Sequence, residues 1–125
     1  DIFVARVDGE GDVQWAQRIG GGTNNQDVAQ DAILTSDGNI VIAGQTGSWG
    51  TDANTNNNYT DQYFVKIRLD GALLWTRTVG NAQKVDRAFA IVEMPDQSLV
   101  AAGSYIHTGG TFYANLVKLD QNSTV

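Results

Sequence analysis

This chain repeats itself. Arg6-Val7-Asp8 returns as Arg68-Leu69-Asp70 and again as Lys118-Leu119-Asp120, at spacings of 62 and 50 residues. The first two copies lead through a glycine turn to a tryptophan, in Gly11-Asp12-Val13-Gln14-Trp15 and in Gly71-Ala72-Leu73-Leu74-Trp75. Ile19-Gly20 then matches Val79-Gly80, and Asp27-Val28-Ala29 matches Asp86-Arg87-Ala88. Last, Asp37-Gly38-Asn39-Ile40-Val41-Ile42-Ala43-Gly44 matches Asp96-Gln97-Ser98-Leu99-Val100-Ala101-Ala102-Gly103. Six landmarks in one order mark a structural unit used more than once. Such a unit buries its apolar face by stacking on its neighbour.

Each unit holds four short apolar runs. Residues 2–7 are strongly β-forming, although their alternation is poor. In the next run Val13, Trp15 and Ile19 fall on one side of an extended chain and Gln14, Ala16 and Arg18 on the other. Residues 29–34 are rich in small side chains, and residues 40–43 are apolar on both sides, as in a strand covered on both faces. Asp8-Gly9, Asp37-Gly38 and Asp70-Gly71 are hairpin signals between the runs. No segment sustains a helical period. A short helix over residues 27–34 remains as the alternative to a strand.

Four strands in a repeat of this length is the pattern of a propeller blade. The phrase Asp1-Ile2-Phe3-Val4-Ala5-Arg6-Val7-Asp8, with Gly11, Trp15, Gly20-Gly21, Asp27, Ala29, Asp37-Gly38 and Ala43-Gly44, resembles the bacterial seven-bladed β-propeller repeat family over nearly the whole chain. The resemblance implies an all-β chain of four-stranded antiparallel blades. Residues 29–34 would be innermost in a blade, residues 40–43 second, residues 2–7 third and the Trp15 strand outermost. Ala29, Ala32, Ala88 and Ala90 suit the crowding at a propeller axis. The chain then reads as the last two strands of one blade, four of the next and three of another. The repeats run over residues 1–61 and 62–112, with a third starting at 113–125. Nine strands do not close a ring of 4–8 blades. The chain is therefore expected to be an open segment, with remaining blades or other subunits as partners.

Composition narrows the functional classes. With 14 acidic against 8 basic side chains the net charge is −6, which disfavours a phosphate backbone as partner, so nucleic acid is not expected. The chain has no cysteine, which removes disulfides, thiolate metal sites and cysteine nucleophiles. No apolar run is long enough to span a membrane. These features, with the Asn- and Gly-rich loops, lead to the expectation of a non-catalytic scaffold or binding module on an extracellular or cell-surface protein, without cofactor or metal. The alternative is a segment of a propeller enzyme, hydrolase or oxidoreductase, whose catalytic residues lie in other blades.

His107 is the one histidine in the sequence and lies among Thr108 and Gly109-Gly110 without a catalytic context. Asp8-Gly9-Glu10-Gly11-Asp12 clusters three carboxylates, yet Asp and Gly are the expected residues of a hairpin turn, and the copy at Asp70-Gly71-Ala72 lacks the extra acids. Gly20-Gly21-Gly22 has neither a helix nor a Lys-Ser/Thr after it, and so reads as a loop. Asn58-Tyr59-Thr60 and Asn122-Ser123-Thr124 match the glycosylation sequon. Trp15 and Trp75 hold repeat positions and are expected to pack between blades. Trp49 has no repeat counterpart. It lies in the polar stretch 47–61, which is longer than the matching stretch 106–113. This loop is the expected ligand site, with Trp49, Asp52, Asn54 and Tyr59 contacting a protein or a glycan. For Trp49 by itself, pinning the loop to its sheet comes ahead of ligand contact, and the ligand site is the expectation if the chain itself binds a partner.

Overall fold

A computed structural model describes residues 1–21, 26–51, 59–106 and 110–120. Among these residues the chain forms nine strands and no helix: β1 (Ile2–Val7), β2 (Val13–Ile19), β3 (Asp27–Leu34), β4 (Ile40–Thr46), β5 (Asp61–Ile67), β6 (Leu73–Val79), β7 (Asp86–Glu93), β8 (Leu99–Ile106) and β9 (Phe112–Leu119). They make three antiparallel sheets: a first of β1-β2, a middle one of β3-β4-β5-β6 and a last one of β7-β8-β9. The division into two, four and three strands agrees with the expectation from the repeat. Residues 27–34 are a strand, not a helix.

Tight polar turns join β1 to β2, β3 to β4, β5 to β6 and β7 to β8. In the β3–β4 turn Thr35 N donates to Asn39 O at 2.8 Å and Gly38 N to Thr35 O at 2.9 Å. The β7–β8 turn repeats this through Met94, Gln97 and Ser98. Gly38 has φ 77° and its counterpart Gln97 has φ 65°, a left-handed conformation that glycine adopts more readily.

The hydrogen bonds correct the first landmark of the repeat. In the β1–β2 turn Gly11 N donates to Asp8 O, and in the β5–β6 turn Gly71 N donates to Arg68 O, with φ 94° and 92° at the two glycines. Arg68 is thus the counterpart of Asp8. The structural copies of Arg6-Val7-Asp8 are Lys66-Ile67-Arg68 and Lys118-Leu119-Asp120, not Arg68-Leu69-Asp70, as the pairings Val7 with Val13, Ile67 with Leu73 and Leu99 with Leu119 require. The glycine turn, which reverses the chain, fixes the register. The similarity of Arg-Leu-Asp to Arg-Val-Asp is incidental.

The three sheets lie face to face with two apolar cores between them. One core joins Ile2 and Ile19 of the first sheet to Ile42, Tyr63, Val65 and Ile67 of the middle sheet, with Val4 and Trp15 packed against it. The other joins Val41, Ala43 and Phe64 to Ala88, Ile91, Leu99, Ala101, Val117 and Leu119 of the last sheet, with Trp75 against it. The middle sheet is therefore covered on both faces. Its strand β4 reads Ile-Val-Ile-Ala with no polar side, because every position faces another sheet. In β1 the alternation hidden in the sequence becomes visible: Ile2 is 3% exposed and faces the middle sheet, whereas Phe3 is 73% exposed on the outer face. Val13, expected on the covered side of β2, is 63% exposed where β2 begins. Polar contacts join the layers as well. Trp15 Nε1 donates to Leu69 O at 2.9 Å and Ile91 N donates to Asp31 Oδ2 at 2.9 Å.

β3 and β7 each carry an irregularity, between Ala29 and Asp31 and between Ala88 and Ala90. A bulge bends the strand and brings its backbone onto the neighbour. At that point the neighbour is glycine both times, Gly44 facing the Val28 carbonyl and Gly103 the Arg87 carbonyl.

Two turn carboxylates bind lysines from the next strand but one. Lys66 Nζ lies 2.6 Å from Asp37 Oδ2 and Lys118 Nζ lies 3.4 Å from Asp96 Oδ2. The hydrogen bond from Lys66, then that from Thr35, holds the Asp37 carboxyl well below the usual carboxylate range. Hydrogen bonds from Ser98 bring that of Asp96 down to about 2. A carboxyl whose pKa is lower folded than unfolded stabilises the fold above its unfolded pKa, and this contribution is lost as pH falls through the folded value. The urea midpoint should accordingly hold steady from neutral pH down to about 5 and decline below about 4. A midpoint that rises on acidification would contradict these pairings.

Candidate functional site

The β4–β5 connection, the β8–β9 connection and the starts of β3 and β7 lie at one end of the sheets. Buried carboxylates organise this end: Asp27 is 4% exposed, Asp61 1% and Asp86 2%. Thr46 Oγ1 donates to Asp27 Oδ1 at 2.5 Å and Ser48 Oγ donates to Asp27 Oδ2 at 2.9 Å. Thr46 Oγ1 in turn accepts the backbone N–H groups of Ser48 and Trp49 at 3.0 and 3.2 Å. One buried acid thereby fixes the first turn of the long loop. At the far side of the loop Thr51 N donates to Asp61 Oδ2 at 2.5 Å, and Thr60 N donates to Lys84 O at 3.1 Å. Asn81 N donates to Asp86 Oδ2 at 2.7 Å, which ties the β6–β7 connection to the same layer. A side chain at Gly80 would meet Asp61 Oδ1 at 1.8 Å and Asp86 Oδ2 at 2.9 Å, so both carboxylates converge on that glycine.

Trp49 emerges from this network half in solvent, at 48% exposure. Its ring rests on Gly21: a side chain there would lie 2.6 Å from the indole. Gly21 thus supports the ring, on a backbone tied through Thr46 to the buried Asp27. Of the other expected contacts, Tyr59 is half-buried beside the strand start. Asp52 and Asn54 lie outside the described residues, as do His107 and the sequon asparagines Asn58 and Asn122. The structure therefore links Trp49 to the acid layer but gives no geometry for the four contacts as a set.

A second aromatic feature at this end was missed in the sequence. Tyr105 and Tyr113 pair across β8 and β9 and stack with centroids 5.3 Å apart and planes 22° from parallel. Tyr113 is 45% exposed. These positions are the register counterparts of Thr46 and Asp61, since Thr46 pairs with Asp61 as Tyr105 pairs with Tyr113. The signal was available: two tyrosines flank the shorter loop where the first repeat has a threonine and an acid.

Half-exposed aromatic faces can stack on the apolar face of a sugar ring or on a partner's side chains. The acids behind them accept hydrogen bonds that hold the loops in place. The Asp8–Asp12 cluster is a turn, with Asp8 Oδ1 accepting Glu10 N at 3.1 Å and Asp12 N at 2.9 Å. Among the described residues no three His, Cys, Asp or Glu are grouped to hold a metal ion, and no helix is long and apolar enough to cross a membrane. No protein-family model and no curated protein matches the chain.

Proposed function

We propose that the three sheets are parts of successive blades of a β-propeller, and that this segment serves as a non-catalytic scaffold and binding module of an extracellular or cell-surface protein. Its recognition surface is the end of the sheets that carries Trp49, and its ligand is a protein or a glycan. The propeller reading is supported by a repeated four-strand unit whose middle copy is covered on both faces by neighbours of the same kind. The binding reading is carried by one observation. Trp49 is 48% exposed while its backbone is held through Thr46 to the buried Asp27. That exposure supports ligand contact by the ring over a role in pinning the loop alone. The neighbouring acids accept hydrogen bonds that shape loops, which suits recognition better than proton transfer.

Trp49→Ala and Trp75→Ala separate the two roles of tryptophan. Trp75 packs against the core between the middle and last sheets, and its loss should cost about 2–3 kcal/mol, whereas loss of Trp49 should cost less than about 1 kcal/mol. Neutral oligosaccharides, a cellohexaose and a maltoheptaose, should quench the fluorescence of the native chain but not that of Trp49→Ala at that site. A protein ligand would leave both sugars silent and show as Trp49-dependent capture on an array of extracellular domains. If Trp49→Ala destabilises as much as Trp75→Ala, Trp49 is a packing residue and the binding surface is wrongly assigned.

A further inference from the structure

Tyr105 and Tyr113 stand directly opposite each other in the last sheet, in a register that runs unbroken from Leu99 opposite Leu119 to Ile106 opposite Phe112. Side chains alternate between the two faces of a strand, so Tyr105 shares its face with Leu99 and Ala101, and Tyr113 with Val117 and Leu119. Those four residues lie in the core against the middle sheet. The two tyrosines extend the same face beyond that core, past the pair of Gly103 and Asn115. Opposed side chains on one face are the nearest neighbours that two paired strands offer. The rings use this nearness: their centroids are 5.3 Å apart and their planes 22° from parallel. Tyr113 is 45% exposed, so a reagent in solution reaches the pair from its side. By contrast Tyr63, at 2% exposure, is closed off in the other core.

We infer that Tyr105 and Tyr113 are a site of oxidative cross-linking, at which a haem peroxidase charged by hydrogen peroxide joins the two rings into a dityrosine. Each phenol gives up one electron and its hydroxyl proton and becomes a phenoxyl radical. The radicals couple through one ring carbon beside each oxygen. The hydrogen on each of those carbons then moves to its oxygen, which restores two phenols. In all, two electrons and two protons leave the pair, and one hydrogen peroxide takes them up as two waters. Holding the rings together turns an encounter between molecules into a step within one, so the link forms inside the hairpin. The stacked rings need only slide until their edges meet. The chain has no cysteine, so this pair supplies a covalent tie that a disulfide cannot. The tie joins the end of β8 to the start of β9. The inference rests on register and stacking, and not on recognition at Trp49.

The test treats the chain with a haem peroxidase and limiting hydrogen peroxide. The native chain should gain the blue fluorescence of dityrosine and lose the mass of two hydrogens, while it remains a monomer on a denaturing gel. Cleavage before aspartates should place the loss in residues 96–119, with no backbone fragments released between 105 and 113. Tyr105→Phe and Tyr113→Phe keep both rings and remove one phenol each. Both should melt close to the native chain and yield about tenfold less blue product, or lower still. Tyr63→Phe should yield as much as the native chain. Undiminished blue product from Tyr105→Phe or Tyr113→Phe, covalent dimers as the main product, or no product from the native chain would each overturn the inference.

Discussion

Phe64→Ala should destabilise the chain by about 3–5 kcal/mol, and Leu116→Ala by less than about 0.5 kcal/mol. The contrast is informative because the two residues hold the same register position. Phe64 pairs with Ala43 as Leu116 pairs with Ala102. Phe64 is 0% exposed in the core between the middle and last sheets, and Leu116 is 74% exposed on the outer face of the last sheet. Removing a buried phenyl ring forfeits its transfer free energy and leaves a cavity that rigid strands cannot collapse; removing an exposed leucine does neither. With total stabilities of 5–15 kcal/mol usual for domains, Phe64→Ala should consume a large part of the margin in a urea titration. Equal costs at the two positions would mean that the middle and last sheets do not pack as described.

Gly44→Ala is the second large effect expected. Its added carbon would sit 1.9 Å from the Val28 carbonyl oxygen and 3.1 Å from the Ala29 α-carbon, both backbone atoms of the bulged strand β3. Nothing flexible is available to yield, so β3 and β4 must separate or the bulge must re-form. The cost should be about 3 kcal/mol, near a 10 °C drop in thermal midpoint. Gly9→Ala is the control. Nothing lies within 4 Å of that position, and the change should fall within about 1 kcal/mol of neutral. Differential scanning calorimetry of the two variants checks the pair.

Much of the fold could be read in the sequence. The recurrence of Trp15 in Trp75 and of Ala43-Gly44 in Ala102-Gly103 located the strands, and the turn residues joined them in order. The uniformly apolar run of β4 announced a strand covered on both faces. The register of the first landmark could not be read from residue types, because Arg68-Leu69-Asp70 resembles Arg6-Val7-Asp8 more closely than Lys66-Ile67-Arg68 does. Only the turn hydrogen bonds count residues correctly. The position of Gly44 was visible, but the reason for it was not, since a bulge at Ala29 and Asp31 leaves no mark in composition. At the candidate site the singular place of Trp49 was legible from its lack of a counterpart, but its 48% exposure was not. The role of Asp27 was not, because a buried acid and a surface acid are spelled alike. The stacking of Tyr105 on Tyr113 required the register that had been misjudged.

The two cores share no sheet except the middle one, one core joining it to the first sheet and the other to the last. Coupling between neighbours only is the condition under which a structure melts from its ends inward rather than all at once. The core around Phe64 contains no residue of the first sheet, so opening of that sheet leaves it intact. Cooperativity in this chain is therefore a property of adjacency. Each further unit joined to either end converts a fraying boundary into an interior, and adds stability to the segment already there without changing any contact within it.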